Sequence, residues 1–211
     1  MNPLRRCIIV ALGLAPLVAR AQPGSWSELN PPQPVDAQGR NIKVLEFFNY
    51  DCIHCYNFEP IVEAWEKKLP KDVEFERVAA PFNELWKRYS AAFYAFQTMG
   101  VLPKVHRAFF DLRHRDQLRL PGDKPLESEP WLSEWLQKQG IAPKKFFEVM
   151  NSFGVQTKVR RALQLTVGYK IEGTPQMGVH GRYTVAADQV PTREAMLETV
   201  DYLVDKIRKG K

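Results

Sequence analysis

An apolar strand that runs directly into two closely spaced cysteines constrains the fold of this chain more than any other feature. Residues 42–50 are apolar on both alternating faces, which is the pattern of a strand buried in the middle of a sheet. Cys52 and Cys55 follow at once, in the segment DCIHCY. From Cys52 onward, apolar residues recur at helical spacing until Leu69 and Pro70. The sequence therefore predicts a strand-to-helix turn with both cysteines at the start of the helix.

The remaining strand patterns lie at the two ends of the chain. Residues 73–78 alternate between apolar and charged, which predicts a second strand and completes a βαβ unit. Residues 177–179 and 183–185 predict a hairpin, and Thr192 is placed to cap a final amphipathic helix. The second half of the fold is therefore expected to be a ββα unit.

Apolar stripes at helical spacing fill the long stretch between these halves. We expect the stripes to form a core, and we find no repeat and no low-complexity tract in them. The sequence predicts an α/β fold in which one domain, residues 22–81 and 169–211, encloses an all-helical insertion over residues 82–168.

The first 21 residues are typical of a secretion signal. They combine a positively charged start, an apolar stretch over residues 7–18 and an A-x-A site at Ala19-Arg20-Ala21, so we expect the mature chain to begin near Gln22. An uncleaved anchor is the alternative, but the apolar stretch is shorter than the roughly 20 residues that span a bilayer. The third cysteine, Cys7, lies inside this segment.

Charge and size exclude some functions. Loss of the three arginines of the predicted signal would lower the formal net charge from +6 to +3. The other cations are scattered among acids, which argues against a nucleic-acid-binding surface. About 190 mature residues suffice for a well-buried core, so the fold does not need a disulfide for stability.

The spacing of Cys52 and Cys55 permits a disulfide. Residues i and i+3 of a helix are neighbours, within the roughly 4.4 to 6.8 Å between Cα atoms that a disulfide accepts. A helix N-terminus favours a Cys52 thiolate, and a protonated His54 would stabilise the same anion. Stabilising the thiolate favours the reduced pair and makes the disulfide an oxidant. We expect Cys52 to be the attacked sulfur and Cys55 to be buried and to resolve the mixed disulfide.

Two structural interpretations of the cysteines compete with this chemistry. An inert disulfide would close a loop too short to remove much chain entropy. A zinc site would need two more ligands, from His54, His106, His114 and His180, without a second paired motif. We expect the last three histidines to lie on the surface, and we predict neither a metal nor another cofactor.

The chain resembles the DsbA family of periplasmic thiol:disulfide interchange proteins. The resemblance depends on the segment VLEFF at residues 44–48, the Cys-x-His-Cys-Tyr core, the helical insertion and Gly173-Thr174-Pro175 before the last hairpin. It implies a thioredoxin-like fold and a monomer in the periplasm that passes its disulfide to reduced, newly exported proteins. It also implies a DsbB-like membrane partner that uses quinone for reoxidation.

The resemblance implies further site residues. Pro175 would be a cis-proline facing the cysteines, and Thr174 would offer backbone groups to an extended substrate. Glu46 would lie beneath the cysteines and move the proton of Cys55, with Arg77 as its partner. A glutamate at the sheet edge, facing water, is the alternative for Glu46.

Two residues depart from the family pattern. Ile53-His54 stands where the family reference has Pro-His, and Asp51 replaces an apolar residue before Cys52. A carboxylate beside a thiolate should raise the thiol pKa unless it caps the helix. We therefore expect a weaker oxidant than the family reference.

Two other functions remain open at this level. A disulfide isomerase or reductase could use the same fold, although dedicated isomerases carry a separate dimerisation domain, and only about 20 residues separate the predicted signal from the first strand. A metal carrier or a peptide-holding chaperone that uses the CIHC segment is the other alternative.

Overall fold

The computed structural model describes residues 24–121, 124, 126 and 129–210. The predicted secretion signal, residues 1–21, lies outside the described residues. None of the helices within the described ranges combines the length and the hydropathy needed to cross a bilayer.

Five strands form one mixed sheet in the order β1-β5-β4-β2-β3. The strands are β1 (Ser27–Glu28), β2 (Ile42–Phe48), β3 (Val73–Ala79), β4 (Gln176–Val179) and β5 (Tyr183–Ala186). Strand β2 pairs in parallel with β3 and antiparallel with β4, as expected for a strand that is apolar on both faces. The predicted strands and hairpin are therefore confirmed, with bounds that differ by one or two residues.

Seven α-helices lie in the described ranges. They are α1 (Ile53–Glu66), α2 (Glu84–Thr98), α3 (Leu102–His114), α4 (Pro130–Lys138), α5 (Pro143–Met150), α6 (Phe153–Gly168) and α7 (Arg193–Arg208). Helix α1 connects β2 to β3, helices α2 to α6 lie between β3 and β4, and α7 follows β5. The Thr192 hydroxyl accepts a hydrogen bond from the N–H of Ala195, so the predicted cap of the last helix is confirmed.

Strand β2 separates two hydrophobic clusters because successive side chains of a strand point to opposite faces. Ile42 and Val44 pack in the cluster that includes α1 and α7. Leu45 and Phe47 pack in the cluster built mainly by α2 to α6. The turn that carries the cysteines therefore begins where the central strand ends, between the sheet and the helical segment.

Two elements differ from the expectation. The edge strand β1 was not predicted, because two exposed polar residues carry no periodic pattern; its pairing with β5 forms it. Helix α1 ends at Glu66, three residues before Leu69. The N–H groups of Lys68 and Leu69 instead close a tight turn on the carbonyls of Trp65 and Glu66.

Candidate active site

Cys52 is the N-cap of helix α1. Its backbone is extended, and its Sγ accepts a hydrogen bond from the N–H of Cys55 at 3.4 Å. The N–H of Cys52 donates to the carbonyl of Asn49 at 3.1 Å, which closes the turn after β2. The sulfur therefore occupies the place where a helix presents unpaired N–H groups and the positive end of its dipole.

Hydrogen bonds to sulfur make Cys52 acidic. They lower the pKa of Cys52 from 9.0 to about 6, with the Cys55 thiol as the largest cause. Burial opposes the change, while the Thr174 side chain and the backbone N–H groups of Cys55 and His54 support it. At neutral pH the reduced protein therefore carries Cys52 mainly as a thiolate.

Cys55 lies in the opposite environment. Its side chain is fully buried, and burial, together with the hydrogen bond to Cys52 and the charge of Cys52, raises its pKa well above 9.0. Both cysteines are in the thiol form in this structure. One pair thus contains a sulfur that readily carries negative charge and a sulfur that keeps its proton.

The loop before β4 covers the cysteine pair. The Thr174–Pro175 peptide bond is cis, as the resemblance implied, and the Thr174 carbonyl oxygen lies 3.3 Å from Sγ of Cys52. The Thr174 hydroxyl is buried and has no well-aligned partner among the described residues. It is therefore free to donate to the Cys52 thiolate.

A groove of about 290 Å³ opens beside this loop. Apolar and polar residues contribute to it, and His54 is one of them. The lining residues are His54, Thr174, Pro175, Ala187, Val190, Pro191, Thr192, Arg193 and Met196. The groove brings three of the candidate site residues, His54, Thr174 and Pro175, onto one surface.

A buried ionic cluster lies on the β2 face that α1 covers. Glu46 is fully buried, so the edge-facing alternative is wrong, and its Oε2 lies 3.3 Å from Nε of Arg77. Nη2 of Arg77 also contacts Oε1 of Glu59 at 3.0 Å. Burial raises the pKa of Glu46 to about 8, although the Arg77 charge opposes the shift. The expected pairing of Glu46 with Arg77 is confirmed.

The expectation that three histidines lie on the surface is wrong for His106. Its ring is buried, with Nδ1 2.7 Å from the Tyr50 hydroxyl and Nε2 3.3 Å from Oε1 of Glu59. Burial alone would raise the pKa of Glu59, but its contacts with His106 and Arg77 lower it. The signal was present in the sequence, because Phe109 and Phe110 stand one helical turn later, on the same apolar side.

The other two histidines are partly buried, and their rings contact backbone groups. His114 Nε2 is 2.8 Å from the Tyr50 carbonyl, and His180 Nδ1 accepts from the N–H of Lys43 at 3.2 Å. No cluster of three metal-ligating side chains occurs in the parts of the chain that the structure describes.

Known proteins resemble this chain in sequence and in fold. Residues 72–198 match the family model described as DSBA-like thioredoxin domain. The chain is 39% identical to thiol:disulfide interchange protein DsbA of Azotobacter vinelandii over 174 residues, which cover 82% of this chain and 78% of that protein. The chain belongs to the DsbA family. The DsbA of Burkholderia cepacia is 32% identical over the full length of both chains.

The structural likeness to DsbA is equally extensive. The crystal structure of Pseudomonas aeruginosa DsbA matches with a TM-score of 0.79 and 34% identity, over 89% of this chain and 94% of that one. The expected thioredoxin-like fold with a helical insertion is confirmed, and so is membership of the thiol:disulfide oxidoreductases.

Asp51 is the departure from the DsbA pattern that the structure explains. It does not cap helix α1, because Cys52 does. Its carboxylate instead pairs with Arg113 and Arg119, whose contacts and charges lower its pKa despite burial. No sequence pattern indicates these partners, which lie 62 and 68 residues away.

Proposed function

We propose that this chain acts as a monomer in the periplasm and oxidises pairs of thiols in newly exported proteins, using a Cys52–Cys55 disulfide. The observation that carries the proposal is the contrast between the two sulfurs. The pKa of Cys52 is lowered to about 6, whereas that of Cys55 is raised by burial. A disulfide whose reduced form is stabilised by a thiolate is a strong electron acceptor.

The exchange takes two steps. A substrate thiolate attacks Sγ of Cys52, a substrate–Cys52 disulfide forms, and Cys55 leaves as a thiolate that takes up a proton. A second substrate thiolate then attacks the substrate sulfur of this mixed disulfide. Cys52 leaves as a thiolate. The two electrons that the substrate thiols lose on forming their disulfide remain on the reduced cysteine pair. A thiol of low pKa is the better leaving group, so the second step is fast.

Assigning the attacked sulfur to Cys52 is supported by exposure. Cys52 is 8% exposed and Cys55 is inaccessible, so only Cys52 offers a path to a substrate sulfur. His54 contributes its backbone N–H to the Cys52 sulfur, and its side chain borders the groove.

Substrate binding is assigned to the loop of Thr174 and Pro175. A segment in extended conformation could add its main-chain groups beside Thr174, while its side chains enter the groove. The position of Thr174, with its carbonyl 3.3 Å from Sγ of Cys52, supports this role because a bound segment would pass directly over the reacting sulfur.

Glu46 is assigned to the proton of Cys55. Its buried side chain alternates onto the same face of β2 as Ile42 and Val44, and its raised pKa allows it to exchange a proton near neutral pH. The Arg77 charge limits this rise, so the pKa of the Glu46 carboxyl stays at about 8.

Each turnover leaves the protein reduced, so an oxidant must follow. We assign this step to a DsbB-like membrane protein that passes the electrons to quinone. Residues 1–21 have the pattern of a signal that would bring the chain to the same compartment.

Oxidative refolding of a reduced, disulfide-requiring protein tests the function. Catalytic amounts of this chain with oxidised glutathione should accelerate refolding, and Cys52→Ala should abolish the acceleration. Cys55→Ala should instead accumulate a mixed disulfide with a reducible client, because Cys52 then lacks its resolving partner. Full activity in Cys52→Ala, or no acceleration by the wild-type protein, would overturn the proposal.

A further inference from the structure

An ion triad with a buried carboxylate adjoins the reactive cysteine along the chain. The Asp51 side chain is only 6% exposed, and both of its oxygens are occupied. Oδ1 is 2.6 Å from Nε of Arg113, and Oδ2 is 2.8 Å from Nη2 of Arg119. Asp51 is the residue immediately before Cys52, so this triad is the charged group nearest in sequence to the thiolate.

Both arginines come from the helical segment between β3 and β4. Arg113 stands in the last turn of α3, and Arg119 lies in the loop that follows. The loop is held in place by Leu120, whose N–H donates to the buried Tyr89 hydroxyl at 2.9 Å. The triad therefore depends on packing inside the helical segment as well as on the active-site turn.

The same helix also holds the residue before Asp51. His114, next to Arg113, contacts the Tyr50 carbonyl through Nε2, and His106 contacts the Tyr50 hydroxyl. Helix α3 thus binds two consecutive residues at the end of the turn from β2, Tyr50 and Asp51. The attachment holds Asp51 and its two arginines in a fixed place on the turn that carries Cys52.

Charge balance gives this arrangement a chemical role. An unpaired carboxylate next to Cys52 would disfavour the thiolate. With two arginines attached, the triad carries one net positive charge and favours the thiolate instead. Asp51 alone would destabilise the Cys52 thiolate, but together with its two arginines it belongs to a group of net positive charge.

We propose that Arg113 and Arg119 are positioning residues for disulfide exchange, which hold and overcompensate the Asp51 charge and so let the helical segment set the oxidising strength of the cysteine pair. The inference rests on the proposed role of Cys52 as the reacting thiolate. Because the thiolate favours the reduced pair, every change in the net charge of the triad should change the redox equilibrium in a fixed direction.

Thiolate absorbance against pH, measured on reduced full-length mature protein, tests the inference. Asp51→Asn should lower the pKa of Cys52, since it leaves two unopposed arginines. Arg113→Met and Arg119→Met should each raise it. The double variant Asp51→Asn with Arg113→Met restores the net charge and should return the pKa to the wild-type value. Arg113→Lys should stay close to wild type.

The equilibrium with glutathione provides a second measurement. Each single variant should change the equilibrium constant by about two- to five-fold, which is typical of one partly exposed charge. Asp51→Asn should make the disulfide more oxidising, and Arg113→Met less so. Arg160→Met, an arginine on the exposed side of α6, serves as the matched control and should change neither quantity.

Several outcomes would overturn the inference: equal pKa values in Asp51→Asn and Arg113→Met, shifts in the same direction, or a double variant that fails to return to wild type. Circular dichroism and urea unfolding identify a variant that is misfolded. If Arg113→Met is misfolded, the single variants Arg119→Met and Arg113→Lys provide independent tests. None of these titrations needs turnover. Loss of refolding activity with the expected pKa pattern would therefore count against the proposed function alone.

Discussion

Glu46 and Arg77 face each other on the neighbouring parallel strands β2 and β3, with Oε2 and Nε 3.3 Å apart. The pair is the centre of a buried ionic cluster, because Arg77 also contacts Glu59 and Glu66. Burial opposes the charge of Arg77, but the three carboxylates outweigh it and raise its pKa. One guanidinium thus compensates two buried acids and a third, more exposed one.

Arg77→Met should strongly destabilise the protein. Removing one partner of a buried ion pair typically costs about 3 to 5 kcal/mol, because it leaves uncompensated buried charge. Urea unfolding of the oxidised protein measures this loss. Arg208→Met, which removes an exposed pair with Asp72, is the control and should unfold close to the wild-type midpoint. Equal midpoints for both variants would contradict the expectation.

Glu46→Gln should change how stability depends on pH. In the unfolded chain this carboxyl ionises above about pH 4.5, whereas in the folded protein it stays protonated up to about pH 8. The unfolded state therefore binds fewer protons in this interval, and the wild-type protein loses stability as the pH rises through it. The glutamine variant lacks this loss.

The stability of Glu46→Gln relative to wild type should therefore increase between pH 5 and pH 8, as measured by urea unfolding. The oxidised protein is used so that the cysteines do not titrate. Parallel stability curves for the two proteins would show that Glu46 ionises normally in the folded state.

Thr174→Val should raise the pKa of Cys52. The substitution keeps the shape of the side chain but removes a buried hydroxyl that is free to donate to the thiolate and so favours it. The rate of alkylation by iodoacetamide against pH reports the thiolate fraction. Thr157→Val, on the exposed side of α6, is the matched control. A midpoint for Thr174→Val at or below the wild-type value would refute this role of the hydroxyl.

His106→Leu should destabilise the protein by about 1 to 3 kcal/mol, the usual cost of leaving buried polar partners unpaired. The partners are the Tyr50 hydroxyl and Glu59. Tyr50→Phe removes one of these partners, so the double variant should lose less stability than the sum of the two single variants. Strict additivity in urea unfolding would mean that the two side chains are not coupled.

The active-site turn was predictable because its determinants are local. The apolar run before Cys52, the helical periodicity after it and the i, i+3 spacing to Cys55 act within one strand and one helix. The cis form of Pro175 was different, because only resemblance to a family implied it.

The sequence by itself determined the α/β order of elements and the place of the cysteine pair, since periodicity and capping act between residues close along the chain. Only the tertiary structure decided that His106 contacts Tyr50 and Glu59, that β1 is a strand and that Asp51 pairs with Arg113 and Arg119. Each of these depends on partners brought together across tens of residues, and a charge or a polar side chain has no local pattern that names a distant partner. Residues close along the chain therefore place the Cys52 sulfur, whereas residues far along the chain supply the charges that pair with Asp51 beside it.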